Sequence, residues 1–455
     1  MQRRDFLKKT GLATLGSLLS TSLANAQINT LKKGDTILIL GAGIAGLTAA
    51  YRLSQKGFKV IVLEARSRIG GRVFSYSFPE IPNLYAELGA EWIGKSHKQL
   101  IKLCEELNVK TVKHQYNIDM LLQNQHIRFD KVKMDKVWEE KIAQIFKDFK
   151  NLSLKEQKKI DSISWWRFLM ENGIPEDALL MRELNDSTDF GESIRQVSAY
   201  AALSEYAESS DYNEMDYQMI GGNSQIINAL SEKIGKENIL LNKKVNAIIQ
   251  DKKVKVVCED KTIFEGDKVI CTLPTFAFSK IDWQPHLPPL KKEAIRQLLY
   301  SRIIKIQLLF KERFWGREDF AMNTDSLSHF IFHTSQQQTH EKGILTSYAI
   351  GDKAFLLSQM NKTQQAKYVL DALMPVFGDK QHLFEQAVSY YWGGDIYTQG
   401  AYAIYNIHQW FGMKSILTQP FENVLFAGEY IGEWQGFMEG AVQTAQDCVE
   451  MLLNK

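Results

Sequence analysis

The 455-residue chain holds four cysteines, Cys104, Cys258, Cys271 and Cys448, and none stands in a C-x-x-C or Cys/His pattern. A cysteine-held metal centre is therefore not expected. Buried thiols are the expectation, with a Cys258–Cys271 bridge left open for an oxidising compartment. No stretch is apolar for long enough to cross a bilayer core of ~30 Å, so no stable membrane anchor is expected. Internal repeats and low-complexity tracts are lacking. An excess of one charge is lacking too: the net charge is +2, and the first 26 residues contribute +3 of it through Arg3, Arg4, Lys8 and Lys9 against Asp5. The remainder is close to neutral, which excludes nucleic acid as a natural partner. A hydrophobic content of 45% over this length supports a large core in two domains, or in one domain with big insertions.

At the N-terminus, Arg3-Arg4-Asp5-Phe6-Leu7-Lys8 precedes a mild apolar run at 11–23 and then Ala24-Asn25-Ala26. The pattern resembles a twin-arginine export signal with a small-residue cleavage site. Residues 1–26 are accordingly read as the signal and the rest as a soluble periplasmic or secreted protein, with a plain basic arm as the alternative.

The chain is organised around Gly41-Ala42-Gly43-Ile44-Ala45-Gly46. An apolar run at 36–40 precedes it, a helical stretch at 47–56 follows, and a second apolar run at 59–63 ends on Glu64. A lone G-x-G-x-x-G is weak, but strand, glycine turn, helix, strand and terminal acid in this order read as a dinucleotide-binding β-α-β unit. Gly41 permits the turn, Gly43 lets a pyrophosphate approach the backbone, and Gly46 lets helix and strand pack closely. Free N–H groups at the helix start would hold the phosphates. Glu64 would accept hydrogen bonds from ribose hydroxyls and disfavour a 2′-phosphate. The following Ala65-Arg66-Ser67-Arg68-Ile69-Gly70-Gly71-Arg72 suits a loop against phosphate, with Arg66 and Arg72 as charge-assisted donors. At 85–94 a short strand carries Gly89 and Gly94, and glycine there marks close approach by another group, for which a flat cofactor ring is a candidate.

The middle changes character. Helical periodicity covers 100–107, 133–149, 165–172 and 177–184, with a hairpin at 120–129. Glu205, Glu208, Asp211, Glu214 and Asp216 form an acidic stretch without lysine or arginine, read either as a solvated face or as a guide for cationic substrates. A helix ending near 234, strands at 243–250, 254–258 and 268–273, a helix at 289–299 and a strand at 302–310 follow. A helix at 364–377, an apolar run at 424–427 and a helix at 437–453 complete the chain.

Taken together, Gly41 to Gly46 with Glu64, Arg66, Gly70-Gly71-Arg72, Leu88-Gly89-Ala90-Glu91-Trp92, Ala427-Gly428-Glu429 and the turn from Gly436 to Ala441 resemble the flavin-containing amine oxidase family. The resemblance spans the chain after the signal. It implies an α/β fold in which a Rossmann-like FAD-binding domain, built from 34–109, 218–294 and 395–455, carries a mixed α+β substrate domain from 110–217 and 295–394. That is the two-domain architecture of amine oxidases and p-hydroxybenzoate hydroxylase. The resemblance also implies FAD contacts from Gly41, Gly43, Ala45, Gly46, Glu64, Ala65, Arg66, Gly71, Arg72, Gly89, Ala90, Glu91, Trp92, Val245, Trp392, Gly428, Glu429, Phe437, Met438 and Ala441.

Within the family the monoamine oxidases are most similar. Tyr300 to Gln307 resembles the strand carrying the family's lysine, here Lys305, which would sit near flavin N5 through a water. Tyr402 and Phe437 would form an aromatic cage around a neutral amine, and these three are the catalytic candidates. Ala401 stands where mammalian monoamine oxidases tether the flavin by cysteine, so FAD is expected to be non-covalent. Phe437 replaces a more usual tyrosine. The amino-acid oxidase branch has an arginine two residues after its Gly-Ala, where Trp92 stands here, which favours a plain amine over an amino acid. Small amines and O2 are the expected partners, with a dehydrogenase feeding another redox protein as the alternative and a homodimer as one option for assembly.

Overall fold

The computed structural model describes residues 31–132, 136–211 and 213–453; the export signal expected at residues 1–26 lies outside them. Strand β1 (Thr36–Leu40), helix α1 (Ile44–Gln55) and strand β2 (Lys59–Leu63) form the expected unit. The helix starts inside the glycine motif rather than at residue 47, because Gly43 already accepts the first intrahelical bond from the Leu47 N–H at 2.9 Å. Parallel strands covered on both faces must be apolar throughout, and Ile37 to Leu40 are fully buried.

Five parallel strands make the central sheet, in the order Val424–Phe426, Lys268–Cys271, β1, β2, Ile239–Leu240. Its members come from the beginning, middle and end of the chain. On one face α1 packs against Ser224–Ile234 and the last helix, Met438–Leu453, in a core that joins Ile39, Leu47, Leu230, Ile270 and Val442.

A seven-stranded mixed sheet draws all its strands from 117–127 and 303–391, in the order Phe384–Tyr391, Ile303–Phe310, Gly343–Ile350, Phe330–His333, Phe320–Thr324, Asn117–Leu122, Gln125–Ile127. The last two strands are the expected hairpin. The helical region comprises Lys136–Phe149, Leu154–Ile160, Trp165–Glu171, Glu176–Phe190 and Ala199–Tyr206. The fourth of these runs six residues past the predicted end and stops at Gly191, whose φ of 68° suits a glycine cap. No helix among the described residues is long and apolar enough to cross a membrane.

All four cysteines are free and buried, as expected, and the Cys258–Cys271 bridge left open does not form, the two residues lying in different sheets. The acidic stretch is only partly a solvated face: Glu208 and Asp211 are exposed, but Glu205, Glu214 and Asp216 are buried.

Candidate active site

One cavity of about 570 Å³ runs along the carboxyl end of β1 and β2 to the face of the seven-stranded sheet. Every sequence-predicted site residue lines it except Gly46. A Cβ on Gly46 would collide with the Gly41 carbonyl, so its role is the close packing of α1 on β1. Gly43 differs. A Cβ there would meet nothing nearer than the Gly70 carbonyl at 3.9 Å, so the fold itself does not require glycine and leaves the space to a ligand.

Gly43, Ile44 and Ala45 bring the start of α1, whose first N–H groups have no helical partner, to the cavity wall, while the Gly41 N–H is spent on the Leu63 carbonyl at 2.8 Å. Glu64 is fixed by the Ala42 N–H on Oε2 and the Arg66 N–H on Oε1, both at 2.8 Å. Each oxygen keeps a lone pair for a hydroxyl donor. Burial raises this carboxyl above its ordinary value, against the two N–H bonds and the charges of Arg66 and Arg68.

The two arginines are committed differently from the phosphate contacts expected of them. Arg66 forms a bidentate pair with Asp395, Nη1 and Nη2 donating at 2.8 and 2.7 Å, and lies over the Tyr397 ring at 4.7 Å. Burial alone would raise the Asp395 carboxyl, but the guanidinium and the Tyr390 hydroxyl hold it well below the carboxylate range. Arg72 Nη1 donates to the Ala401 carbonyl at 2.7 Å and to Glu429 Oε1 at 2.6 Å. Glu429 Oε2 accepts the Gly436 N–H at 3.0 Å. One ion pair thus ties the N-terminal loop to the turn that carries Phe437. Ala65, Gly71, Val245, Gly428, Met438 and Ala441 complete this wall.

The short strand ends at Glu87, before Gly89, whose missing side chain makes room for the Arg72 carbonyl. The stretch from Glu87 to Glu91 is held from the sheet side. Gln307 Nε2 donates to the Glu87 carbonyl at 3.0 Å, Trp392 Nε1 to Leu88 at 2.7 Å, and Lys305 Nζ to Gly89 at 2.9 Å. Lys305 also donates to the Glu91 carboxylate in a buried ion pair. Alternation along Ile303–Phe310 places Lys305 and Gln307 on the face opposite Ile304 and Ile306. That face is buried as well, so Lys305 does not reach bulk solvent. Ala90 and Trp92 line the cavity beside it.

Tyr402 and Phe437 are half-buried walls of the same cavity. The Tyr402 hydroxyl donates to the Asp189 carbonyl at 2.8 Å and meets the Tyr348 hydroxyl at 3.0 Å. Phe437 is propped by His97 and Trp434, with ring centroids 5.0 and 5.8 Å away. Burial pushes His97 down to about 3, so a neutral imidazole backs the aromatic wall. Glu439 does not cap its own helix; its carboxylate accepts the Gln99 and Leu100 N–H groups at 3.0 and 2.7 Å, at the start of Lys98–Glu106.

Sequence reasoning missed Asp395, Tyr348 and Asp189, which line the cavity or brace it, and named Glu205 and Glu214, which also line it, only as members of the acidic stretch. No cluster that could hold a metal occurs among the described residues. The glycine cradle at Gly43, the open helix start and the fixed Glu64 fit the adenosine and pyrophosphate part of FAD.

Comparison with known proteins agrees with this geometry. The family model for flavin-containing amine oxidoreductases matches residues 44–453. A probable flavin-containing monoamine oxidase A of Dictyostelium discoideum is 24% identical over 459 residues, covering 92% of this chain and 98% of that protein. An L-amino-acid oxidase of Crotalus adamanteus is 26% identical, covering 90% and 85%. The solved structure of cyclohexylamine oxidase from Brevibacterium oxydans superposes with a TM-score of 0.81 at 20% identity, covering 92% of this chain and 99% of that one. This chain belongs to the flavin-containing amine oxidoreductase family, whose cofactor is FAD.

Proposed function

We propose that the chain oxidises the carbon–nitrogen bond of a plain amine to an imine, which water then hydrolyses to an aldehyde or ketone. One observation carries this reading: a buried, anchored Lys305 and two aromatic walls, Tyr402 and Phe437, share a single cavity with the dinucleotide cradle. FAD, when bound, would supply the acceptor for the hydride equivalent lost from the amine's α-carbon, with O2 as the terminal oxidant and H2O2 as its product. The glycine turn, Glu64 and the N-termini of α1 and Met438–Leu453 would hold and polarise that cofactor. Tyr402 and Phe437 orient the neutral amine and exclude water from it. Lys305 fixes a positive charge where O2 is reduced. Residues 1–26 would send the folded protein across the membrane by the twin-arginine route.

An α-amino acid fits the cavity less well. The two arginines lining it, Arg66 and Arg72, are both engaged by carboxylates, while Asp189 and Glu205 bring negative charge to the Tyr402 hydroxyl. A substrate carboxylate without a charge-assisted partner forgoes roughly 1.5–3 kcal/mol.

Anaerobic mixing with a panel of amines should bleach the flavin, and repetition in air should yield peroxide. Bleaching by L-amino acids alone would overturn the reading, and bleaching without peroxide would make the protein a dehydrogenase. No cysteine lines the cavity, and Ala401 stands, by the resemblance, where mammalian monoamine oxidases have their tethering cysteine. Acid denaturation is therefore expected to release all the FAD into the supernatant, whereas yellow colour left in the protein pellet would mean a covalent bond.

A further inference from the structure

We infer that Thr188, His329 and Lys353 form a proton path between the active-site cavity and the protein surface, by which an ammonium substrate sheds the proton that must leave before the neutral amine reacts. This rests on the amine-oxidising reading above and adds to its machinery.

An alkylamine titrates like a lysine side chain, at about 10.4, and so arrives protonated. Tyr402 and Phe437 exclude water from the place where it must become neutral, and the proton needs another way out. Thr188, on Glu176–Phe190, lines the cavity there, and its carbonyl is met by the Tyr402 hydroxyl at 3.4 Å and the Tyr348 hydroxyl at 3.5 Å. Its own hydroxyl meets the Leu184 carbonyl at 3.2 Å and His329 Nε2 at 2.9 Å, which leaves at least one oxygen lone pair for a donor from the cavity.

His329 ends the loop between Phe320–Thr324 and Phe330–His333. Its φ of 58° is left-handed, a costly conformation for a residue with a side chain, and it is kept where the ring is bonded at both nitrogens. The residue is 2% exposed, and its Nδ1 lies 3.2 Å from Lys353 Nζ. Lys353, on Gly351–Ser358, is half-buried and reaches solvent.

Lys353 is left free to act as a base. Its hydrogen bonds among the described residues go to the Thr324 carbonyl at 3.3 Å and to His329, not to a carboxylate. Asp325 in the loop and Glu183 on Glu176–Phe190 act on it through space, and Asp352 beside it is paired with Arg302 at 2.8 Å. Burial pulls the Lys353 ammonium down to about 8 against those two charges. Burial and the charge of Lys353 hold His329 well below its ordinary value, so its ring is neutral.

The ammonium N–H bond breaks as its proton goes to Thr188 Oγ1. The hydroxyl proton moves to His329 Nε2, the Nδ1 proton moves to the neutral Lys353 amine, and Lys353 releases it to water. The imidazole ends as the opposite tautomer. Reduction of O2 to H2O2 takes up one proton beyond the hydride equivalent, and its entry along the same path in reverse restores the first tautomer. No proton is gained or lost over the full cycle, and the electrons do not use this path.

The test follows anaerobic flavin bleaching by the FAD-loaded enzyme at saturating amine. The wild-type rate is expected to rise with pH to a plateau above about 8, where Lys353 is neutral, and the rise should keep its place for two amines of different basicity. Lys353→Arg keeps the charge but not the ability to lose the proton, and Lys353→Met keeps neither; each should slow bleaching roughly tenfold or more on the plateau. Added imidazole should restore the rate of Lys353→Met by taking the proton from His329. Thr188→Val, which breaks the path at its inner end, should be slow and beyond rescue by imidazole. Lys362→Met, at an exposed site, should match wild type. A rise that moves with the basicity of the amine, or Lys353→Arg with wild-type rate and profile, would overturn the inference and leave amine oxidation standing. Slow Lys353→Met that imidazole does not restore would overturn it too, by making Lys353 a structural prop. Bleaching by no amine at all would overturn the functional reading and this inference together. If the variants do not accumulate, the comparison of two amines on the wild type decides alone.

Discussion

Lys305→Met is expected to slow reoxidation of the enzyme by O2 on the order of 10²-fold while leaving reduction by substrate within a few-fold. The asymmetry follows from where the charge is needed. The amine reacts in its neutral form, so a cation beside it contributes little to the first half-reaction, whereas negative charge builds on oxygen in the second. Lys305 is already in place for the second step, because its ammonium is 4% exposed and held by the Gly89 carbonyl and the Glu91 carboxylate. Stopped-flow measurement of both half-reactions separates the two effects, and unchanged rates in both would remove Lys305 from the mechanism.

The same substitution carries a stability signature. Breaking a buried ion pair by removing one partner costs about 3–5 kcal/mol, because the other charge is stranded. Glu91 already titrates above its ordinary 4.5, since burial outweighs the attraction of Lys305. Without the lysine its folded-state value moves higher still. The folded variant then keeps a proton that the unfolded chain gives up near 4.5, so its stability falls as pH rises through the window above that value. Melting curves should show Lys305→Met nearest to wild type at about pH 5 and furthest at about pH 8. Adding Glu91→Gln should narrow the gap at the higher pH; a gap independent of pH would mean that Glu91 is not the stranded group.

What the sequence made legible was local. The β-α-β unit could be read because its strands are covered on both faces and its glycines occupy fixed offsets, whereas Lys305 was named by the family resemblance, with strand alternation setting it apart from Ile304 and Ile306 only in support. Partnership across the chain left no local trace. Arg66 meets Asp395 and Arg72 meets the Ala401 carbonyl across 329 residues, and no short-range pattern encodes such a choice. Burial of charge was equally hidden. The run from Glu205 to Asp216 has the composition of a solvated face, and only the packing of Ala199–Tyr206 against its neighbours turns Glu205 inward. At Gly89 the inference of a close neighbour holds for the Arg72 carbonyl, which the sequence could not name because a glycine reports missing space without saying what fills it.

Arg72→Met is expected to yield a protein that folds poorly and is purified without FAD. The guanidinium joins parts of the chain 357 residues apart, since its Nη1 donates to Glu429 while its plane lies 5.5 Å from the Tyr300 ring. Methionine keeps much of the side-chain volume but removes the charge, leaving the Glu429 carboxylate, 8% exposed, without its cation at a cost of about 3–5 kcal/mol. The damage would spread to the site, because Glu429 also accepts the Gly436 N–H and so sets the turn that presents Phe437. Arg72→Lys keeps the charge but lacks the planar group that lies by Tyr300, so it should fall between wild type and Arg72→Met. The ratio of flavin to protein absorbance and the melting temperature with added FAD check both variants. Loss of flavin in Arg72→Met with a wild-type melting temperature for the flavin-free protein would make Arg72 a cofactor ligand alone, and full flavin content would refute both roles.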